Sequence, residues 1–257
     1  MRRAGCSGQP RVRAKGILIP PRSDRVYASN ITRAMRLMQF ADSMFPVGSF
    51  SFSSGLESAV AQGVVTDVAT QREFVLTATH QAATCDGIAL IAAHRAAVSG
   101  EYDKVLAADH AVLNRKLNDE ARTMSTRMGK KLAELSDRLD MSGLLKGRWL
   151  LAIEAGDTPG TYPVGLGIVF AEMGSPEQDA FAVHHYGVAN TILGAALRLL
   201  RVDHFATQQI LLEVNNNAVG EYAAVAGLTL DDMASFTPMA DILAAVHVRS
   251  HVRMFMN

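Results

Sequence analysis

Apolar side chains recur at intervals of three and four residues from Ile31 onward, and this spacing constrains the fold more than any other feature of the sequence. Phe74, Val75 and Ala78 follow it within residues 66–100. Such spacing places apolar side chains on one face of a helix. We find no hairpin dipeptide between alternating β-branched runs, which would indicate paired strands. The sequence therefore predicts an all-α, single-domain helical bundle of roughly eight to ten helices.

Two segments are apolar on most faces, and we predict that they form buried helices. They cover residues 160–174 and 175–200, and Ser175-Pro176 is a favourable start for the second because proline suits the first helical position. The chain is 49% hydrophobic and 19% charged, which is enough apolar material for a large core.

The charges are distributed unevenly along the chain. Residues 1–36 contain nine Lys or Arg residues and one acid, so the remaining residues carry 16 basic and 24 acidic side chains, a net charge of −8. A body this acidic is not expected to bind nucleic acid, because phosphate affinity comes mainly from clustered cations. We predict that residues 1–33 form a basic, disordered extension and that residues 34–257 form the helical domain.

No targeting or membrane segment is evident in the sequence. Arg2-Arg3 resembles the start of an export peptide, but the apolar run Ile17–Ile19 falls short of the ~7–15 residues that such a peptide needs. No segment reaches the ~20 apolar residues of a membrane helix. Cys6 and Cys85 are far apart and form no disulfide framework. We therefore expect a cytoplasmic protein without membrane contact.

A loop between predicted helices, FPVGSFSFSSG at residues 45–55, combines turn residues with three phenylalanines. Ser54 and Glu57 have the spacing of a capping box, in which each side chain bonds the backbone N–H of the other residue. If the segment is extended, Phe50 and Phe52 face one side and the serines the other. The capping box explains the polar residues, but it does not explain the aromatic ones.

Motifs for two kinds of bond-breaking chemistry are absent from this loop. No glycine is followed by Lys-Ser or Lys-Thr, as a phosphate-binding loop requires. No serine has glycine two residues before and two after it, as in a nucleophile elbow. The loop is therefore better suited to recognition than to catalysis.

Four stretches, in order, resemble the urease accessory protein UreF family. They are LMQFADSMFPVGSFSFSSGLESAVAQGVV (37–65), NDEARTMSTRMGKKL (118–132), TYPVGLGIVFAEMG (161–174) and TPMADILAAVHVRSHVRMFMN (237–257). Each motif alone is weak, but four with matching order and spacing are specific, and together they cover about residues 37–257.

The resemblance implies a non-enzymatic, all-helical protein that forms a homodimer. Members of the family bind the accessory protein UreD, also called UreH. The two proteins together recruit the GTPase UreG, which brings nickel to the urease apoprotein. The resemblance thus implies no cofactor of the chain's own, and nickel is handled indirectly as cargo.

The resemblance also indicates which residues bind partners. The aromatic residue of the loop and the C-terminal arginine of the family, here Phe50 and Arg253, are linked to recruitment of UreG. We expect these two residues to share one surface patch; the alternative is that Phe50 packs beneath its own loop. The predicted partner-binding residues are Phe45, Pro46, Gly48, Phe50, Ser51, Gly55, Glu57, Glu120, Arg122, Asp241, His247 and Arg253.

Other histidines and acids allow alternative interpretations. His247 and His251 have the i, i+4 spacing of two metal ligands on one helix face, but no third ligand is near them in sequence. A helical metal-dependent hydrolase would use His80, Asp86 and His94, with the Asp109-His110 pair. That pair has the reverse of the expected His-Asp order. A generic helical interaction module is the third possibility.

Overall fold

The computed structural model describes residues 22–139, 144–234, 237, 242, 243, 245, 254 and 255. The chain divides into two units, Met1–Arg36 and Leu37–Asn257. The first helix, α1 (Arg22–Ala41), includes residues 22–33, which the sequence analysis assigns to the N-terminal extension. The boundary at residue 33 stays a prediction.

The described residues form helices and turns and contain no β-strand, which confirms the all-α prediction. A π-helical turn, Ala83–Gly87, joins α3 to α4, and 3₁₀ turns lie at Ser49–Ser51 and Leu230–Asp232. None of the helices in this part of the chain is long and apolar enough to cross a membrane. After α1 the helices are α2 (Leu56–Ala61), α3 (Val68–Ala82), α4 (Ile88–Ser99), α5 (Tyr102–Arg115), α6 (Asp119–Arg138), α7 (Leu144–Ala155), α8 (Tyr162–Glu172), α9 (Glu177–Leu199) and α10 (His204–Val225).

Helix α8 lies at the centre of the larger core cluster, packed against α4, α6 and α9. All eight residues from Pro163 to Phe170 are buried, as the sequence analysis predicts for this segment. Gly167 permits a close helix contact, since a Cβ there would lie 2.6 Å from the carbonyl oxygen of Leu90 in α4. A second cluster joins α2, the C-terminal part of α9 and α10.

The loop before α8 is organised by Asp109, a fully buried acid on α5. Its Oδ1 accepts hydrogen bonds from the backbone N–H (2.7 Å) and the hydroxyl (2.5 Å) of Thr161. Its Oδ2 accepts bonds from Trp149 Nε1 (3.0 Å), Thr158 Oγ1 (2.6 Å) and Gly160 N (2.9 Å). A buried carboxylate is costly unless its lone pairs are satisfied, and five donors from α7 and the loop satisfy this one.

The same loop packs closely on α6. A Cβ at Gly129 would lie 2.0 Å from the carbonyl oxygen of Gly160, so any larger residue at position 129 would push the helix and the loop apart. The carboxylate of Asp109 therefore fixes the surface against which α6 is positioned.

A second buried polar group, His185 on α9, stacks on Phe181 with 5.5 Å between ring centroids. Burial, with a smaller contribution from the neighbouring His184, lowers the pKa of His185 to about 4. The folded protein therefore holds His185 neutral at pH values where an unfolded chain would protonate it.

We predict that Asp109→Asn lowers the free energy of unfolding by about 3 kcal/mol or more, because the amide group replaces one acceptor oxygen with a donor among five existing donors. Urea denaturation followed by circular dichroism measures this change. Asp103→Asn, at an exposed position of the same helix, should change the stability by less than about 0.5 kcal/mol. Equal stability of the two variants would contradict the role given to Asp109.

His185 is expected to make the fold acid-sensitive. Its pKa is lowered in the folded state, so its contribution to stability is complete above pH ~6.5 and is lost as the pH falls towards about 4. His185→Phe keeps an aromatic ring but does not titrate. Between pH 7 and pH 4 the wild type should lose up to about 3 kcal/mol more than this variant. Parallel stability profiles for the two proteins would show that the prediction is wrong.

Candidate functional site

The loop at residues 45–55 is anchored in the protein core by its first half. Phe45 and Val47 are buried, and the Phe45 ring lies 4.7 Å from that of Phe40, which in turn contacts Phe170 of α8. Gly48 then takes the left-handed conformation, with φ of 86°, and begins the 3₁₀ turn Ser49–Ser51. The buried side chains fix the loop on the core, while the turn lifts its tip towards solvent.

Phe50 lies on this turn and is 63% exposed, whereas Phe52 is buried at 3%. The expectation that both rings face the same side is therefore wrong. Phe50 lies in a 3₁₀ turn, and Phe52 returns to extended backbone directly after it, so the side chains do not alternate as they would along one extended strand. Phe50 does not pack beneath its own loop.

The predicted capping box at Ser54 and Glu57 does not form. Ser54 has φ of 52° and Gly55 has φ of 82°, so α2 starts at Leu56 after a left-handed pair. The Ser54 hydroxyl lies 3.9 Å from the Met124 sulfur of α6. The backbone N–H of Glu57 instead donates to the hydroxyl of Ser53 at 3.4 Å.

The carboxylate of Glu57 binds the C-terminal segment. It accepts hydrogen bonds from the backbone N–H groups of Met254 (2.7 Å) and Phe255 (3.1 Å). The Phe255 side chain is buried in the core cluster that includes Leu56. Glu57 therefore joins α2 to the end of the chain, nearly 200 residues away in sequence.

Arg198, near the end of α9, joins the same segment to the loop. Its Nη2 lies 3.4 Å from the carbonyl oxygen of Phe50, and its guanidinium group lies 4.7 Å from the centroid of the Phe255 ring. We call Glu57, Arg198, Met254 and Phe255 the terminal clasp. Arg198 is not among the residues predicted from the sequence; a cation in the last turn of a largely buried helix is the signal that points to it.

The remaining predicted site residues lie near the loop or outside the described part of the chain. Pro46 is exposed, Gly55 is buried, and Ser51 is half-buried next to α6. Glu120 is buried and lines a cleft of about 190 Å³ that also includes Ser49 and Ser54. Arg122 is exposed, and its Nε donates to the carbonyl oxygen of Lys116 at 2.7 Å. Asp241, His247, His251 and Arg253 lie outside the described residues.

The histidines of the alternative hydrolase hypothesis have separate partners. His80 Nδ1 lies 2.9 Å from the carboxylate of Glu221. His94 Nε2 lies 2.8 Å from the carbonyl oxygen of Ser175, and His110 Nε2 lies 3.1 Å from that of Asp157. Within the ranges that the structure describes, no group of three or more His, Cys, Asp or Glu side chains could hold a metal ion.

Asp86 forms a buried ion pair rather than a metal site. Lys116 Nζ lies 2.7 Å from both carboxylate oxygens, and His184 Nε2 lies 3.6 Å from one of them. Burial alone would raise the pKa of Asp86, but the lysine charge and the histidine outweigh it and hold the pKa below its ordinary value. Burial also raises the pKa of the adjacent Cys85 thiol to about 12, which makes it unreactive.

Comparison with known proteins gives a consistent result. The UreF family model matches residues 65–215, which is more than half of the chain. "Urease accessory protein UreF 2" of Brucella canis is 54% identical over 223 residues, covering 87% of this chain and 91% of the relative. "Urease accessory protein UreF" of Yersinia enterocolitica is 51% identical over 229 residues, covering 89% of this chain and 100% of the relative.

These matches confirm the resemblance seen in the four sequence motifs. The relatives are named as accessory proteins of urease, in agreement with the expectation that the chain is not itself an enzyme. The chain belongs to the UreF family of urease accessory proteins.

Proposed function

We propose that this chain is an adaptor in urease maturation. With UreD (UreH), it recruits the GTPase UreG, which delivers nickel to the urease apoprotein in the cytoplasm. Membership of a family of urease accessory proteins supports the general role. The more specific role is a hypothesis about the surface around Phe50.

The observation that carries this proposal is an exposed aromatic side chain on a rigid loop. The buried Val47 and Phe52 fix the backbone on either side of Phe50, so the loop backbone loses little conformational freedom when a partner covers it. Exposed phenylalanine is costly in water, and buried aromatic anchors supply much of the affinity of protein interfaces. A rigid loop with such an anchor is suited to docking a partner.

The terminal clasp supports the same interpretation. Arg198 contacts both the Phe50 carbonyl group and the Phe255 ring, so residue 255 lies next to the loop. Arg253 immediately precedes the clasped residues in sequence. We infer that loop and terminus act as one docking surface, with Arg253 as its second anchor.

Two further parts of the proposal concern assembly and metal. We expect the adaptor to act as a homodimer, as the family resemblance implies. We expect nickel to be carried by the GTPase, with this chain contributing the docking surface rather than metal ligands. Equilibrium dialysis of the isolated chain against Ni²⁺ tests the second expectation, and retention of the metal would contradict it.

Phe50→Ala is expected to weaken binding of UreG to the complex with UreD by about 30-fold, or ~2 kcal/mol, because it removes a central aromatic anchor. Surface plasmon resonance on the immobilised complex measures the affinity. Val98→Ala, at a 67% exposed apolar position on α4, is the matched control and should bind normally. The proposal fails if Phe50→Ala, correctly folded, recruits UreG with wild-type affinity.

Glu57→Ala should release the C-terminal segment, because the N–H groups of Met254 and Phe255 lose their acceptor. Hydrogen exchange with mass spectrometry should show faster exchange in the C-terminal peptide, with Glu57→Gln intermediate because it keeps one acceptor oxygen. Glu73→Ala, at an exposed position of α3, should leave this peptide unchanged. Unaltered exchange in Glu57→Ala would contradict the clasp.

A further inference from the structure

Helix α6 places three cations next to the loop that carries Phe50. Arg127, Lys130 and Lys131 border a shallow depression whose other wall is formed by the loop, at residues 47–52. The three side chains are exposed. Glu134 lies on the same edge and pairs with Lys131. Its Oε2 is 2.9 Å from Lys131 Nζ, and this hydrogen bond lowers the pKa of Glu134. We call Arg127, Lys130 and Lys131 the basic rim.

The position of the rim follows from the helix geometry. Residues 127, 130 and 131 are three and four apart, so their side chains project from one side of α6. Met128, Gly129 and Leu132 fall on the opposite side and are buried. Because Gly129 packs on the loop before α8, the helix cannot rotate, and the rim stays beside residues 47–52.

The net charge of the rim is opposite in sign to that of the domain. Outside residues 1–36 the chain has a net charge of −8, whereas the rim together with Glu134 has a net charge of +2. Like charges three and four residues apart on a helix repel each other and destabilise it. The pair with Glu134 offsets the charge of Lys131, but the repulsion of Arg127 with Lys130 and Lys131 remains unfavourable for folding, and an external acidic surface would relieve it.

We propose that the basic rim receives an acidic surface of the protein partner that Phe50 anchors. This inference rests on the proposed function and adds the chemistry of the partner's face: carboxylates that flank an apolar contact. The depression fits such a face, because the buried Val47 and Phe52 line it beside the loop while the three cations stand along α6.

A protein surface fits this site better than a nucleic acid or an anionic membrane. Three cations within about one helical turn neutralise few phosphates, and the strongly acidic remainder of the domain would repel a polyanion. An aromatic anchor with charges around it has the arrangement of a protein interface, with an apolar centre and a polar edge.

The rim and Phe50 should affect different steps of binding. Exposed charges at the edge of an interface steer the encounter of two proteins and change mainly the association rate. A desolvated aromatic anchor changes mainly the dissociation rate. The two contributions can therefore be separated by kinetics and by salt.

The test is surface plasmon resonance of UreG on the immobilised complex of UreD with this chain, at about 50 mM and about 300 mM salt. The double variant Arg127→Glu/Lys130→Glu should lower the association rate about tenfold at low salt and much less at high salt. Phe50→Ala should raise the dissociation rate at both salt concentrations. Lys104→Glu, at a 69% exposed lysine on α5, is the control and should have little effect.

Further variants and measurements separate the contribution of the rim from that of Phe50 and from a loss of folding. Lys130→Arg should bind as the wild type does, and thermal melting should show that the double variant is folded. Absence of UreG binding to the wild type would overturn the proposed function together with this inference. Weak binding by Phe50→Ala with an unchanged association rate for the double variant would overturn the rim alone. If the double variant loses binding to heparin but still binds UreG normally, the rim binds a polyanion and not the partner protein. That result would overturn the inference.

Discussion

The buried carboxylate of Asp109 is the interaction on which the rest of the domain depends. Five donors converge on it, from α7 and from residues 158–161, and they fix the loop that enters the central helix α8. Gly129 of α6 packs against that loop, and Phe45 and Val47, which anchor the loop at residues 45–55, pack into the same core cluster. One satisfied charge in the interior thus sets the relative position of α6 and the surface beside it.

The proposed functional surface consists of three parts held on that frame. Phe50 is the exposed anchor, the terminal clasp holds residues 254 and 255 beside it, and the basic rim borders the loop on the side of α6. Buried residues hold the frame beneath these parts: Val47 and Phe52 on either side of Phe50, Phe255 in the clasp, and Met128, Gly129 and Leu132 beneath the rim. Rigidity matters for an adaptor, because a surface already ordered before binding loses less entropy when it docks.

Local patterns in the sequence were sufficient to predict the helices and the position of the loop. Helical spacing and the apolar segment at 160–174 depend on near neighbours, and these predictions are confirmed. Pro176 lies just outside the first helical position predicted for it, since it is the N-cap and α9 begins at Glu177. The prediction of a capping box was wrong because Ser54 and Gly55 take left-handed conformations that residue types alone do not specify. The bonds from Glu57 to residues 254 and 255, and the position of Arg198, depend on tertiary contacts, which no local pattern encodes.

The proposed function depends on direct contact between Phe50 and UreG. The most direct measurement replaces Phe50 with the photo-crosslinking residue p-benzoylphenylalanine and irradiates the assembled complex with UreD and UreG. The same residue at position 98 serves as the control, since Val98 is similarly exposed on α4. If Phe50 contacts UreG, position 50 should crosslink to UreG and position 98 should not. A crosslink from position 50 to UreD alone, or to neither partner while UreG is bound, would contradict it.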